Sequence, residues 1–195
     1  MANKDAAFGF RPIGKVGQNK DNQGLSEYNI AANSSAIYQN DTVQFLATGY
    51  VGVADTSNAV LLGSLNGVFY TDTADQKPRW ANHLAASNAA TDIVGFVSDD
   101  PYERFEVQAD GTLAIADLGR NTDIVYAAGA SPNFVSKVEI DSNTANVTTA
   151  SKQFRILGVA KDIENSELAN VTTYAANVNV VGIINEHFLK STTGI

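Results

Sequence analysis

Ala59-Val60-Leu61-Leu62-Gly63-Ser64-Leu65-Asn66-Gly67-Val68-Phe69-Tyr70-Thr71 is the stretch on which the fold reading turns. Two β-prone runs, residues 59–65 and 68–71, flank Asn66-Gly67, the pair favoured in type I′ turns because both residues accept φ > 0. The stretch therefore predicts a β-hairpin. Immediately upstream the same grammar recurs: residues 42–47, then Thr48-Gly49, then residues 50–54 read as a second hairpin, with Val43 and Phe45 on one face.

Downstream, residues 72–77 are polar and predict a loop. Pro78-Arg79-Trp80 follows, where proline is expected to break the ladder. Trp80 is then either a lid on the protein's own core or a contact for a partner or sugar. Residues 93–97 form a continuous apolar run, residues 105–108 alternate, and Asp110-Gly111 closes a turn. Residues 112–118, with Gly119 behind them, fit a short helix better than one more strand. Residues 124–127, 135–140, 154–159 and 178–184 complete the strand candidates, and residues 142–151 form a Ser, Thr and Asn connector. Short strands at this spacing, with at most short helices, predict a mainly β fold, a distorted barrel or a sandwich. The C-terminal run is expected to close the sheet and leave residues 191–195 free.

Before this β-rich body, taken as residues 38–195, residues 1–37 show neither a helical nor a strand period. They carry Gly9, Gly14, Gly17 and Gly24, and they hold Lys4, Arg11, Lys15 and Lys20 within the first 20 positions of an otherwise acidic chain. Their apolar residues cluster at Phe8, Phe10, Pro12 and Ile13. A disordered tail has no use for such a cluster. The expectation is an extended basic arm that docks on another surface, with Phe8, Phe10, Arg11 and Pro12 as contacts. On that reading, deletion of residues 1–20 leaves the body folded.

Composition narrows the function classes. The chain has 195 residues and a net charge of −8, so it lacks the cationic field that nucleic-acid backbones demand. No apolar run approaches the length of a membrane span and the N-terminus has no secretory apolar region, which predicts a soluble protein made in a cytoplasm with neither a membrane nor a nucleic-acid partner. Zero Cys excludes thiolate chemistry and disulfides, and His83 and His187 are the only imidazoles. Both read as surface or interface polar residues. Asp99, Asp100, Glu103 and Glu106 form the strongest acidic cluster, but its spacing lacks the alternating ligands and turn glycine of a calcium loop. No phosphate-binding glycine motif is present. The expectation is a protein without catalytic residues, metal or cofactor.

Several segments carry a resemblance. Ala7-Phe8-Gly9-Phe10-Arg11-Pro12-Ile13-Gly14 resembles the opening of small structural proteins of tailed bacteriophages, including marine and cyanobacterial ones. Residues 62–72, Gln76-Lys77-Pro78, residues 93–97 leading into Asp99-Asp100-Pro101, residues 105–108, residues 154–158 and Asn185-Glu186-His187-Phe188 extend the likeness over nearly the whole chain. The resemblance implies a virion part, a capsid decoration (cement) protein on the outer surface of the major capsid lattice. It implies the major capsid protein as partner, self-association as a homotrimer, and a location on the capsid surface. A head-completion or tail component is the nearest alternative. A carbohydrate-binding module or glycosidase using Trp80 with Asp99 and Asp100 is the alternative from another class.

Overall fold

The computed structural model describes residues 3–17, 24–145, 148–161, 165 and 168–191. Lys20 of the expected arm and residues 192–195 of the expected free terminus lie outside them. In chain order the strands are β1 (Arg11–Lys15), β2 (Ser26–Asn29), β3 (Thr42–Phe45), β4 (Val51–Val53), β5 (Gly63–Thr71), β6 (Pro78–Ala81), β7 (Val94–Ser98) and β8 (Glu103–Gln108). They continue with β9 (Asn121–Thr122), β10 (Ile124–Val125), β11 (Glu139–Ile140), β12 (Phe154–Val159), β13 (Leu168–Asn170), β14 (Thr173–Tyr174) and β15 (Asn179–Ile184). The described helical structure is two 3-10 turns, Ile115–Asp117 and Phe188–Lys190, the first followed by Gly119 at φ 85°.

Among the described residues the strands build two main antiparallel sheets in a sandwich-like arrangement, with no closed barrel. A six-stranded sheet runs β2-β7-β5-β3-β4, with β6 also on β5, and a five-stranded sheet runs β1-β8-β15-β12-β9. β5 is long enough to take β7 along one edge while β3 and then β6 share the other. Two apolar clusters fill the interior. Val43, Leu62, Leu65, Val68, Leu84 and Val97 belong to one, and Phe10, Leu61, Phe105, Phe154, Ile156 and Val180 to the other. Leu61 and Leu62, adjacent in an extended segment, point to opposite sides and so enter different clusters. The C-terminal segment locks this segment in place: Leu61 N–H donates to Glu186 O at 3.0 Å and Phe188 N–H to Leu61 O at 2.8 Å.

The hairpin expected at residues 42–54 forms, with Val43 opposite Val53. The one expected at Asn66-Gly67 does not. β5 runs straight through the pair, and the register against β7 slips there, between Leu65 and Gly67. A long-range partner strand has converted a turn signal into a β-bulge. Gly67 is needed because a Cβ there would lie 2.9 Å from the Trp80 ring and 3.0 Å from Ala81 O. Pro78 does not break the ladder either, since it stands first in β6, on the sheet's margin, where proline is tolerated.

The expected arm is the largest revision. Its described residues supply an edge strand to each sheet, β1 against β8 and β2 against β7, so the boundary at residue 37 separates nothing structurally. Among strands the sequence reading passed over, β13 and β14 make a separate two-residue-wide hairpin whose tip residue, Val171, is 88% exposed.

Candidate functional site

Phe8-Gly9-Phe10-Arg11, the motif that reads as a docking element, is docked on its own chain. Phe10 is completely buried, its ring 5.7 Å from that of Phe105 and 5.1 Å, edge-on, from that of Phe154. Its N–H donates to Asn40 O at 2.9 Å, and its carbonyl accepts from Ser64 Oγ at 2.7 Å. The ring thus belongs to the five-stranded sheet while the backbone is tied to the other. Gly9 makes the passage possible: at φ 73° a Cβ would sit 2.4 Å from both Asn40 O and Ser136 Cβ. Phe8 is half-buried under the Arg11 guanidinium, 4.8 Å from its ring centroid, and Pro12 is half-buried in β1. As a contact for another molecule Phe10 is excluded by burial.

The basic character of this segment is matched in cis. Arg11 pairs with Glu106 at 2.7 Å and Lys15 with Asp100 at 2.8 Å, while Gly14 N–H donates to buried Glu103 at 3.0 Å. Burial raises the Glu103 carboxyl above its usual range. Asp99 accepts from Tyr28 Oη at 2.5 Å, and burial with this carboxylate pushes the phenol up to about 12. Asp100 also accepts from the Tyr102 N–H at 2.7 Å, which shapes the turn between β7 and β8. The acidic cluster is therefore a set of committed partners for β1 and β2. Among the described residues no group of three or more potential ligands is placed to hold a metal ion.

Neither histidine is a simple surface residue. His83 lies in a parallel stack, 6.1 Å from the Tyr38 ring and 4.0 Å from Phe134. His187 is buried, so the surface expectation is corrected for it. Its Nδ1 accepts from Leu189 N–H at 3.1 Å, and burial, with Lys190 nearby, lowers its pKa to about 4. Asp41 is likewise buried. One oxygen accepts from Tyr38 N–H at 2.8 Å, and burial pushes the carboxyl up to about 6.

Trp80 is not a lid on its own core. It is 57% exposed on the outer face of the six-stranded sheet, opposite Phe69, which is 40% exposed, and its ring lies 4.6 Å from that of Phe96. Phe69 and Phe96 escaped notice because the presumed turn at Asn66-Gly67 hid which face of β5 points outward. The alternation of Val68 and Phe69 about a continuous strand carries that signal. Among the described residues, no helix is long and apolar enough to cross a membrane. No protein-family model, no curated protein and no solved structure matches the chain.

Proposed function

We propose that this is a non-enzymatic structural protein of a tailed-bacteriophage virion, a decoration (cement) protein that binds the outer surface of the major capsid lattice, associates with itself as a homotrimer, and stabilises the shell. The observation that carries the reading is the pair Trp80 and Phe69, large apolar side chains presented outward on the six-stranded sheet, with half-buried Phe96 packed against the Trp80 ring. Aromatic groups exposed together mark interaction surfaces more than they mark solvated ones. The chain-wide resemblance supplies the identity of the partner. The commitment of Asp99, Asp100, Glu103 and Glu106 to bonds that hold β1 and β2 supports a structural role over a hydrolytic one. A ligand that binds only the assembled lattice adds its binding free energy to the stability of the shell.

Cryo-electron microscopy of particles carrying the protein tests this. Density at three-fold and quasi-three-fold positions supports decoration, and density confined to the portal vertex or tail replaces it with the head-completion or tail reading. Absence from particles refutes both. A glycan-binding module is the second reading, favoured by the same exposed Trp80. It requires saturable binding of a glycan by the purified protein that Trp80→Ala abolishes.

A further inference from the structure

A second surface lies on the outer face of the five-stranded sheet, and two β-bulges build it. The β1–β8 register skips Ile13 between Pro12 and Gly14, and the β12–β15 register skips Leu157 between Ile156 and Gly158. A bulge re-aims the extra residue. Here both extra residues are apolar and stand exposed, Ile13 at 38% and Leu157 at 45%. Each is followed by a glycine paired with one of the two central strands: Gly14 lies opposite Arg104 of β8, and Gly158 opposite Val181 of β15. Apolar walls beside glycines leave a trough of about 400 Å³, lined also by Val159 and Lys161.

The charge in this trough is unusual for the protein. Arg104 and Lys161 both line it, on a chain of net charge −8. Neither side chain makes a hydrogen bond or ion pair with any described residue, whereas Arg11, Lys15 and Arg155 on β1 and β12 all have partners. Among the described residues the Arg104 Nε is moreover buried without an acceptor. A buried donor left unsatisfied costs stability, and a carboxylate is the acceptor that a guanidinium matches best. Glu106, the carboxylate facing Val181 in the register, is taken by Arg11.

We propose that this trough docks a segment of a partner protein that presents an Asp or Glu carboxylate to Arg104 and Lys161, with flanking aliphatic side chains against Ile13, Leu157 and Val181. The identity of that partner as the capsid lattice rests on the function proposed above; the chemistry of the site does not.

The test is an amide-resolved NMR titration of the isotope-labelled full chain with acetyl-Leu-Glu-Leu-amide and, in parallel, acetyl-Leu-Gln-Leu-amide. Saturable shifts are expected at Ile13, Arg104, Gly158 and Val181, with the glutamate peptide bound about tenfold more tightly. Arg104→Gln should erase that preference while keeping a dispersed spectrum. Leu157→Ser should weaken both peptides alike, and it reads the site independently if the arginine variant fails to fold. Equal affinity for the two peptides overturns the proposal. So does a preference that survives Arg104→Gln, or the lack of any saturable shift up to about 10 mM peptide. Because the titration uses isolated protein, its failure leaves particle localisation standing, and absence from particles leaves this site standing.

Discussion

Replacing Phe10 by alanine should destabilise the isolated protein by about 4 kcal/mol, near the middle of the range for buried Phe→Ala changes. The magnitude follows from the surroundings. The ring is fully buried, so its whole apolar area returns to water on unfolding, and the two aromatic contacts at 5.7 and 5.1 Å are lost with it. Phe105 and Phe154 stand on β8 and β12, held by their own ladders, and cannot collapse far into the space left behind. For a chain of this length the loss corresponds to a melting temperature lower by roughly 8–16 °C. Urea denaturation of the purified variant, with no capsid or other partner present, measures it. Phe8→Ala, at the half-buried neighbour, is the control and should cost much less. If Phe10→Ala unfolds within about 1 kcal/mol of the parent, the motif is not part of the core and the account of the N-terminal segment fails.

Deletion of residues 1–20 should remove β1 and Phe10 together and abolish cooperative unfolding, which circular dichroism melting would show; a sharp transition near the parent's would contradict the fold described. Gly9→Ala should yield insoluble or strongly destabilised protein, because the new Cβ meets Asn40 O and Ser136 Cβ at 2.4 Å; a soluble variant with the parent's melting temperature would refute that packing. Burial pushes the Asp41 carboxyl up from its ordinary range to about 6, so the native state binds the proton more tightly than the unfolded chain does. Its contribution is fully present below about pH 4 and is lost as the pH rises through about 6, at most about 3 kcal/mol in all. Asp41→Asn should remove that component and raise stability at pH 7, measured by urea titration at several pH values. Arg11→Ala breaks an exposed ion pair and should cost no more than about 1 kcal/mol in the same assay.

What was legible in the sequence was periodicity confined to one strand and its near neighbour. Val43 and Phe45 face the core as their alternation requires, and the alternation in β15 puts Val180 and Ile184 inside. What misled was every signal whose meaning depends on a distant partner. Asn66-Gly67 is a turn when the strands beside it pair with each other, and a bulge when β7 lies alongside instead. The basic residues Arg11 and Lys15 and the acidic residues Asp100, Glu103 and Glu106 were each visible as charge clusters. Only the β1–β8 register shows that one is the counterpart of the other. The aromatic group on the outer face needed the corrected strand before Phe69 could be placed beside Trp80.

The two sheets differ in how their strands are drawn from the chain. The six-stranded sheet uses a contiguous block, β2 to β7, whereas the five-stranded sheet puts β1 on β8 and β8 on a central strand, β15, that ends at Ile184. During synthesis the first sheet can begin to assemble once Ser98 has left the ribosome, while the second waits for almost all of the remaining chain. The ladder partner of β1, β8, emerges soon after Ser98, but Phe10 spends the rest of that interval beside Phe105 without Phe154, at an unfinished core on a nascent polypeptide. High contact order of this kind slows folding and prolongs exposure to aggregation. Yield on overproduction should therefore respond to translation speed and chaperone supply through the N-terminal segment, even though the finished protein hides it completely at Phe10.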